Sequence, residues 1–309
     1  MRTGFVLGAA LAGVALLATA CSSGMTQSAA ATSRTTIVAV AAENEYANVI
    51  AQVGGKYVTA DAIMSNPAAD PHTYEASQAV AREVSQAQLV VQNGAGYDTF
   101  MHTIENAAPN PGRKTIVVQN LLGLPDSTPN PHLWYDPATM PKVATAVADD
   151  LAAIQPQHAA YFRANAQKFT VSLGALNAAV SAFKATHAGV PVATTEPVAD
   201  YLLQALGARN LAPWAFQADI MNGSDPAPQT VAAEEELFTQ HKVKALLYNQ
   251  QVTDTLTQSL ITLANANHIP VVGVYETMPV PGYGYQSWMV TEINDLTNAL
   301  DHGVSTQKL

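Results

Sequence analysis

Residues 89–119 read LVVQNGAGYDTFMHTIENAAPNPGRKTIVVQ, and this stretch decides the fold. Leu89-Val90-Val91-Gln92 is a short apolar run that stops at Asn93-Gly94, as a buried strand does at a turn. Thr99–Ala107 reads as a helix, and Lys114–Gln119 returns to a β-branched strand. Strand, helix and strand in that order form a βαβ unit, which implies a largely parallel sheet.

The alternation extends outward in both directions. Upstream, the run from Thr35 to Ala42 is a strand, 44–53 a helix stopped by Gly54-Gly55, Tyr57-Val58-Thr59 a strand and Ala76–Gln86 a helix. Downstream, 138–154 is an Ala/Val/Leu-rich helix. After Pro156 a single helix is expected over Gln157–Thr186, with no Pro and one glycine, Gly174. At the usual rise per residue it would be roughly 45 Å long. Tyr161, Phe162, Phe169, Leu173, Leu176, Val180 and Phe183 recur mostly at spacings of three and four, a stripe that faces a core. The pattern then restarts, with strands at Val190–Thr194, Ala245–Tyr248 and Val271–Val274. Helices are expected at Val198–Ala205, Thr230–His241, Thr253–Asn267 and Tyr285–Leu300. The expected class is α/β, with two βα lobes of mainly parallel sheet (35–155 and 189–309) joined by a long helix at 156–188.

Composition narrows the function. Hydrophobic residues make up 48% of the 309 and charged ones 12%, which is a globular chain rather than a disordered one. With 14 Lys+Arg against 24 Asp+Glu and a net charge of -10, no basic stripe exists to neutralise nucleic-acid phosphates. The single cysteine excludes an intramolecular disulfide, a Cys-based zinc finger and an iron–sulfur cluster. Residues 1–20, MRTGFVLGAALAGVALLATA, have the layout of a secretory signal: Arg2, an apolar run from Phe5 to Leu17, then small residues. Cys21 follows directly, and 21–34 is a Ser/Ala/Thr-rich tether.

Of eight histidines, six sit in polar helical or turn contexts and read as surface residues. His72 and His132 differ: each follows a proline in a loop before a helix, in Asp70-Pro71-His72-Thr73-Tyr74-Glu75 and Asn130-Pro131-His132-Leu133-Trp134. Proline narrows the local backbone and so lowers the cost of presenting a side chain in one direction. Ligands of open α/β sheets gather at the carboxyl ends of strands, where these loops belong. The second half supplies carboxylates at such ends, Glu196 after Val190–Thr194 and Glu276 after Val271–Val274. In a chain this poor in charge, a glutamate ending a buried strand needs a partner or a cation. Two imidazoles and two carboxylates suit Zn2+ or Mn2+.

Taken together, Cys21 after small residues, the DPHTYE segment, Leu89-Val90-Val91 with Asn93-Gly94, Asn130-Pro131-His132 and Glu196 before Ala199-Asp200-Tyr201-Leu202 resemble the zinc/manganese substrate-binding lipoproteins of ABC importers, the zinc-uptake component A family. The likeness covers about 36–300. It implies two lobes joined by a rigid helix, a metal site in the cleft between them, and no enzymatic activity. It places His72 and His132 as the first two ligands and Glu196 where members carry His or Glu. The fourth position is an acid after the last strand, where Glu276 is the nearest candidate and water an alternative. Glu75 and Asp136 are candidates for orienting the imidazoles. Cys21 would carry a lipid anchor on the extracytoplasmic face of the membrane. The partners implied are a permease and its ATPase, and the protein is expected to be a monomer. The His/acid-rich loop of many zinc-specific members is missing between Leu121 and Pro129. The rival readings are a two-lobed receptor for an iron chelate or cobalamin and, less favoured, a zinc hydrolase.

Overall fold

The computed structural model describes Met1, Gly4, 36–66, Tyr74, Ser77, 78–279 and 281–309. The body of the chain, Thr35–Leu309, packs as one compact unit. It holds two sheets of four parallel strands. In the first, β1 (Ile37–Glu43), β2 (Val58–Met64), β3 (Leu89–Gln92) and β4 (Lys114–Val117) lie in the order β2-β1-β3-β4. In the second, β5 (Pro191–Thr194), β6 (Arg209–Asn210), β7 (Leu246–Asn249) and β8 (Val271–Val274) repeat that order as β6-β5-β7-β8. The two halves thus share a topology without a shared sequence.

Among the described residues, five helices accompany the first sheet: α1 (Asn44–Gly54), α2 (Gln78–Gln86), α3 (Phe100–Ala107), the single turn α4 (Val118–Leu121) and α5 (Thr139–Ile154). The period of two along β1 sends side chains to opposite layers. Ile37, Ala39 and Ala41 join the main core, whereas Val40 and Ala42 join a smaller cluster with Val84 of α2 and Met101 and Ile104 of α3.

The expected single helix is instead two, α6 (Ala159–Ser172) and α7 (Gly174–His187), divided at Leu173. The Leu173 amide donates to the Thr170 carbonyl at 3.3 Å, a tightened last turn, and α7 resumes with Asn177 N–H on the Leu173 carbonyl at 2.9 Å. The two halves serve different partners, since α6 packs on α1 and α5, and α7 on the last helix of the chain, α12 (Tyr285–His302). The apolar stripe behaves as expected: Phe162, Phe169, Leu173, Leu176 and Phe183 are buried.

The second sheet carries α8 (Asp200–Leu206), α9 (Trp214–Met221), α10 (Pro228–Thr239) and α11 (Thr255–Ala266). Beyond α12 the chain returns to the open edge of β8: the Gly273 amide donates to the Thr306 carbonyl at 2.7 Å, the Val271 amide to Ser305 Oγ at 3.0 Å and the Leu309 amide to Tyr275 Oη at 3.2 Å. The main core is continuous through both halves, from Ile37 and Trp134 to Val272 and Trp288.

Candidate metal centre

All strands in each sheet are parallel, so their carboxyl ends share one side, and the candidate site is built from those ends. Glu196 stands two residues past β5, Asn249 closes β7 and Glu276 stands two residues past β8. From the first half come Tyr97, in the turn after β3, and His132, in the loop before a 3-10 turn at Leu133–Tyr135. His132 and Glu276 are fully buried, and Glu196 is 2% exposed.

His132 is held from both sides. Asn130 Nδ2 donates to the Pro197 carbonyl at 2.7 Å, which fixes the amide so that its Oδ1 accepts from the His132 ring at Nδ1, 2.8 Å away. The same Oδ1 accepts from the His132 amide at 3.1 Å. An acceptor at Nδ1 draws a ring proton there and makes Nε2 the more basic nitrogen of the neutral ring. That Nε2 faces Glu276 Oε2 at 3.3 Å. An imidazole nitrogen and a carboxylate oxygen at this distance are held together by a shared proton or by a cation. Asp136, expected to orient the imidazole, instead accepts from the Ala138 amide at 2.9 Å at the start of α5, and Asn130 has the orienting role.

Glu276 is the most connected carboxylate. Its Oε2 accepts from Tyr97 Oη at 2.9 Å and its Oε1 from Asn249 Nδ2 at 2.7 Å. The Asn249 Nδ2 also donates to Glu196 Oε1 at 3.1 Å, so one amide joins the two acids. Gln251 Oε1 accepts from the amides of Glu276 at 2.7 Å and Thr277 at 2.8 Å, shaping the turn after β8. Asp98 does the same after β3, accepting from the amides of Asn93 at 2.6 Å and Gly94 at 2.9 Å, where Gly94 supplies the left-handed backbone (φ +77) that the turn requires. Burial pushes Asp98 up to about 6. Tyr97, His132 and Trp134 meet edge to face, with centroids 5.0 to 5.7 Å apart, and wall the site from water.

Two further acids lie at the end of β1. The carboxyl groups of Glu43 and Glu45 are fully buried, Glu43 beside Asp98 and Glu45 beside the Met278 backbone and Glu276. Burial raises both well above the usual carboxylate range, with the charges of Asp98 beside Glu43 and of Glu276 beside Glu45 adding to it. Sequence reasoning passed over these, although two acids in Ala42-Glu43-Asn44-Glu45 at a strand end of a charge-poor chain were a signal. His72, Glu75 and Cys21 lie outside the described residues; of the rest of the expected set, His132 Nε2 meets Glu276 at 3.3 Å and Glu196 joins Glu276 only through the Asn249 amide, and among the described residues no three His, Cys, Asp or Glu side chains form a group that could hold a metal ion.

Comparison with known proteins places this architecture. Residues 39–299 match the family model for the zinc-uptake complex component A, periplasmic. The chain belongs to that family. Among individual relatives, the manganese ABC transporter substrate-binding lipoprotein PsaA of Streptococcus anginosus is 24% identical over 307 residues, covering 91% of this chain and 94% of the relative. The manganese-binding lipoprotein MntA of Bacillus subtilis is 26% identical over 148 residues, 46% of this chain and 45% of MntA. In structure, a Mn-bound periplasmic metal-binding protein from Candidatus Liberibacter asiaticus superposes with a TM-score of 0.71 at 18% identity, over 86% of this chain and all of that one. The Ni2+ complex of FpvC from Pseudomonas aeruginosa gives the same score at 18% identity over 89% of this chain and 100% of that chain. At such identities these two establish the two-lobed fold shared by this family member.

Proposed function

We propose that this protein is the extracytoplasmic substrate-binding component of a metal-ion ABC importer, which captures Zn2+ or Mn2+ and hands it to a membrane permease driven by its ATPase. The observation that carries this reading is the fully buried meeting of His132 Nε2 and Glu276 Oε2 at 3.3 Å, with Glu196 tied to Glu276 through Asn249, beside the aromatic rings of Tyr97 and Trp134. The ligand set is His72, His132, Glu196 and Glu276. Family membership and the names of the relatives support it, manganese being the metal of PsaA and MntA and zinc that of the family. The burial of His132, Glu196 and Glu276 favours a bare cation over the iron-chelate and cobalamin readings, which need a wide cleft open to solvent.

Cys21 carries the lipid anchor of a monomer, and 22–34 tether the body to the membrane. Anchoring raises the effective concentration of the loaded protein at its permease. Binding requires neutral imidazoles and ionised carboxylates, so acid opposes it. Titration calorimetry of the His72→Ala and His132→Ala variants tests the assignment. Each is expected to lose cation binding almost wholly, and Glu276→Ala to lose less, because water can take an oxygen's place. Native affinity in either histidine variant would overturn the reading.

A further inference from the structure

A pocket of about 400 Å³ is lined from both halves of the chain, by Pro129 and Asn130 from the first and by Asp200, Tyr201, Asn210 and Trp214 from the second. Asp200 is the one charged side chain in that lining among the described residues, and it is poorly compensated. Its Oδ1 accepts from Asn210 Nδ2 at 2.8 Å. The same nitrogen lies 2.8 Å from Thr194 Oγ1 and 3.1 Å from Gln217 Oε1, so its two hydrogens serve three acceptors. Among the described residues the carboxylate takes neither an amide of α8, the usual partner of an acid that opens a helix, nor a Lys, Arg or His side chain. Burial pushes Asp200 up to about 6, which leaves it charged at neutral pH. Two aromatic rings share the pocket. Tyr201 is held by its Oη, which donates to the Asn130 carbonyl at 3.0 Å, and Trp214 is 43% exposed.

We infer that this pocket is a second binding site, which takes a small free organic cation of the guanidinium class. It is separate from metal capture and stands whether or not the ligand assignment above holds. A carboxylate short of donors calls for a cation, and aromatic walls favour one that is flat and weakly hydrated, because it loses little on meeting a ring. An anion would meet only the negative charge of Asp200. A bare divalent ion needs several hard ligands where the lining supplies one carboxylate, and a neutral ligand would bury that carboxylate without a counter-charge. The volume falls within the range of pockets that hold small ligands.

The test titrates the whole protein, free of metal and at constant ionic strength, with three probes: butylguanidinium, its neutral isostere butylurea, and N-acetylarginine methylamide, which carries the same head between two peptide bonds. Of the three tryptophans, Trp134 and Trp288 are fully buried, so fluorescence that acrylamide can quench reports on Trp214. Butylguanidinium is expected to protect Trp214 saturably with a dissociation constant of about 1 mM or lower, and butylurea to bind about tenfold more weakly or worse. Asp200→Asn, which keeps the shape and removes the charge, is expected to lower butylguanidinium to the level of butylurea. Trp214→Leu, followed by ligand-observed NMR, is expected to weaken it about threefold or more. Equal binding of butylguanidinium and butylurea to the wild type, or no saturable binding of either, would overturn the inference, and neither result depends on a variant that folds. Wild-type affinity in a folded Asp200→Asn would overturn it as well. Tighter binding of the blocked arginine than of butylguanidinium would assign the pocket to a side chain of a partner protein and overturn the free-ligand reading.

Discussion

Asn130 does the work of three residues at once, since it carries the His132 ring, the His132 backbone and, through the Pro197 carbonyl, the loop bearing Glu196. Removing it frees the imidazole tautomer and loosens the two loops together. Asn130→Ala is expected to weaken cation binding by about 10–100-fold, the range usual for residues that orient a metal-bound histidine, with the fold retained. Calorimetry together with a thermal melt checks this, and unchanged affinity with an unchanged melt would show that Asn130 is dispensable. The Pro-His loop in a charge-poor chain marked His132 in the sequence, and the structure buries that side chain against Glu276. Asn249 carried no such mark, because an asparagine that closes a strand looks like any turn residue. Its bridge between Glu196 and Glu276 forms only when β5, β7 and β8 bring three strand ends side by side.

Between elements, one buried tie across the halves runs from the turn after His132 to α12. Tyr135 Oη donates to Glu292 Oε1 at 2.9 Å and is 2.7 Å from the Tyr275 carbonyl, next to Glu276, while Trp288 Nε1 donates to the same Glu292 oxygen at 2.7 Å. Burial pushes Glu292 up to about 8, so it keeps its proton at neutral pH and can itself donate. In the unfolded chain that proton leaves near the ordinary glutamate value of 4.5. The stabilisation is therefore complete below that value, erodes as pH rises and is gone above about 8. Glu234, buried in α10 and likewise raised to about 8, adds to the same slope. Denaturant titrations of the metal-free protein should show falling stability from pH 5 to pH 8, on the order of a few kcal/mol, and a shallower slope in Glu292→Gln. An identical slope in that variant would exclude Glu292 as its source. The helices that carry these contacts were mostly legible: α1, α5 and α12 fall within two residues of expectation. The division at Leu173 was not, because the apolar stripe runs through it unbroken and only packing on different partners separates α6 from α7. Helix α9 was missed too, since Trp214-Ala215-Phe216 and Ile220-Met221 spread apolar residues around the helix rather than along one face.

At the scale of the whole molecule, the two halves were legible as repeated βα alternation, but their union was not. Contacts such as Asn44 with the Met278 backbone, made twice at 2.8 Å, and Tyr285 Oη with the Trp134 carbonyl at 2.7 Å join residues more than 150 positions apart, which no local pattern encodes. Together with a core that passes unbroken from one sheet to the other, they oppose a wide hinge. Small-angle scattering should therefore show nearly the same radius of gyration with and without cation, and a large contraction would contradict the shared core. The return of the chain along β8 has a different consequence. That strand ends its sheet, and an uncovered outer strand offers bare amides and carbonyls to any passing chain. Ser305 and Thr306 occupy those groups, so the last residues act as a seal against intermolecular strand addition. A version ending at Gly303 should fold yet self-associate as concentration rises, visible by light scattering, while the full-length chain stays unassociated. An affinity tag for surface immobilisation would on the same ground be attached through a spacer beyond Leu309.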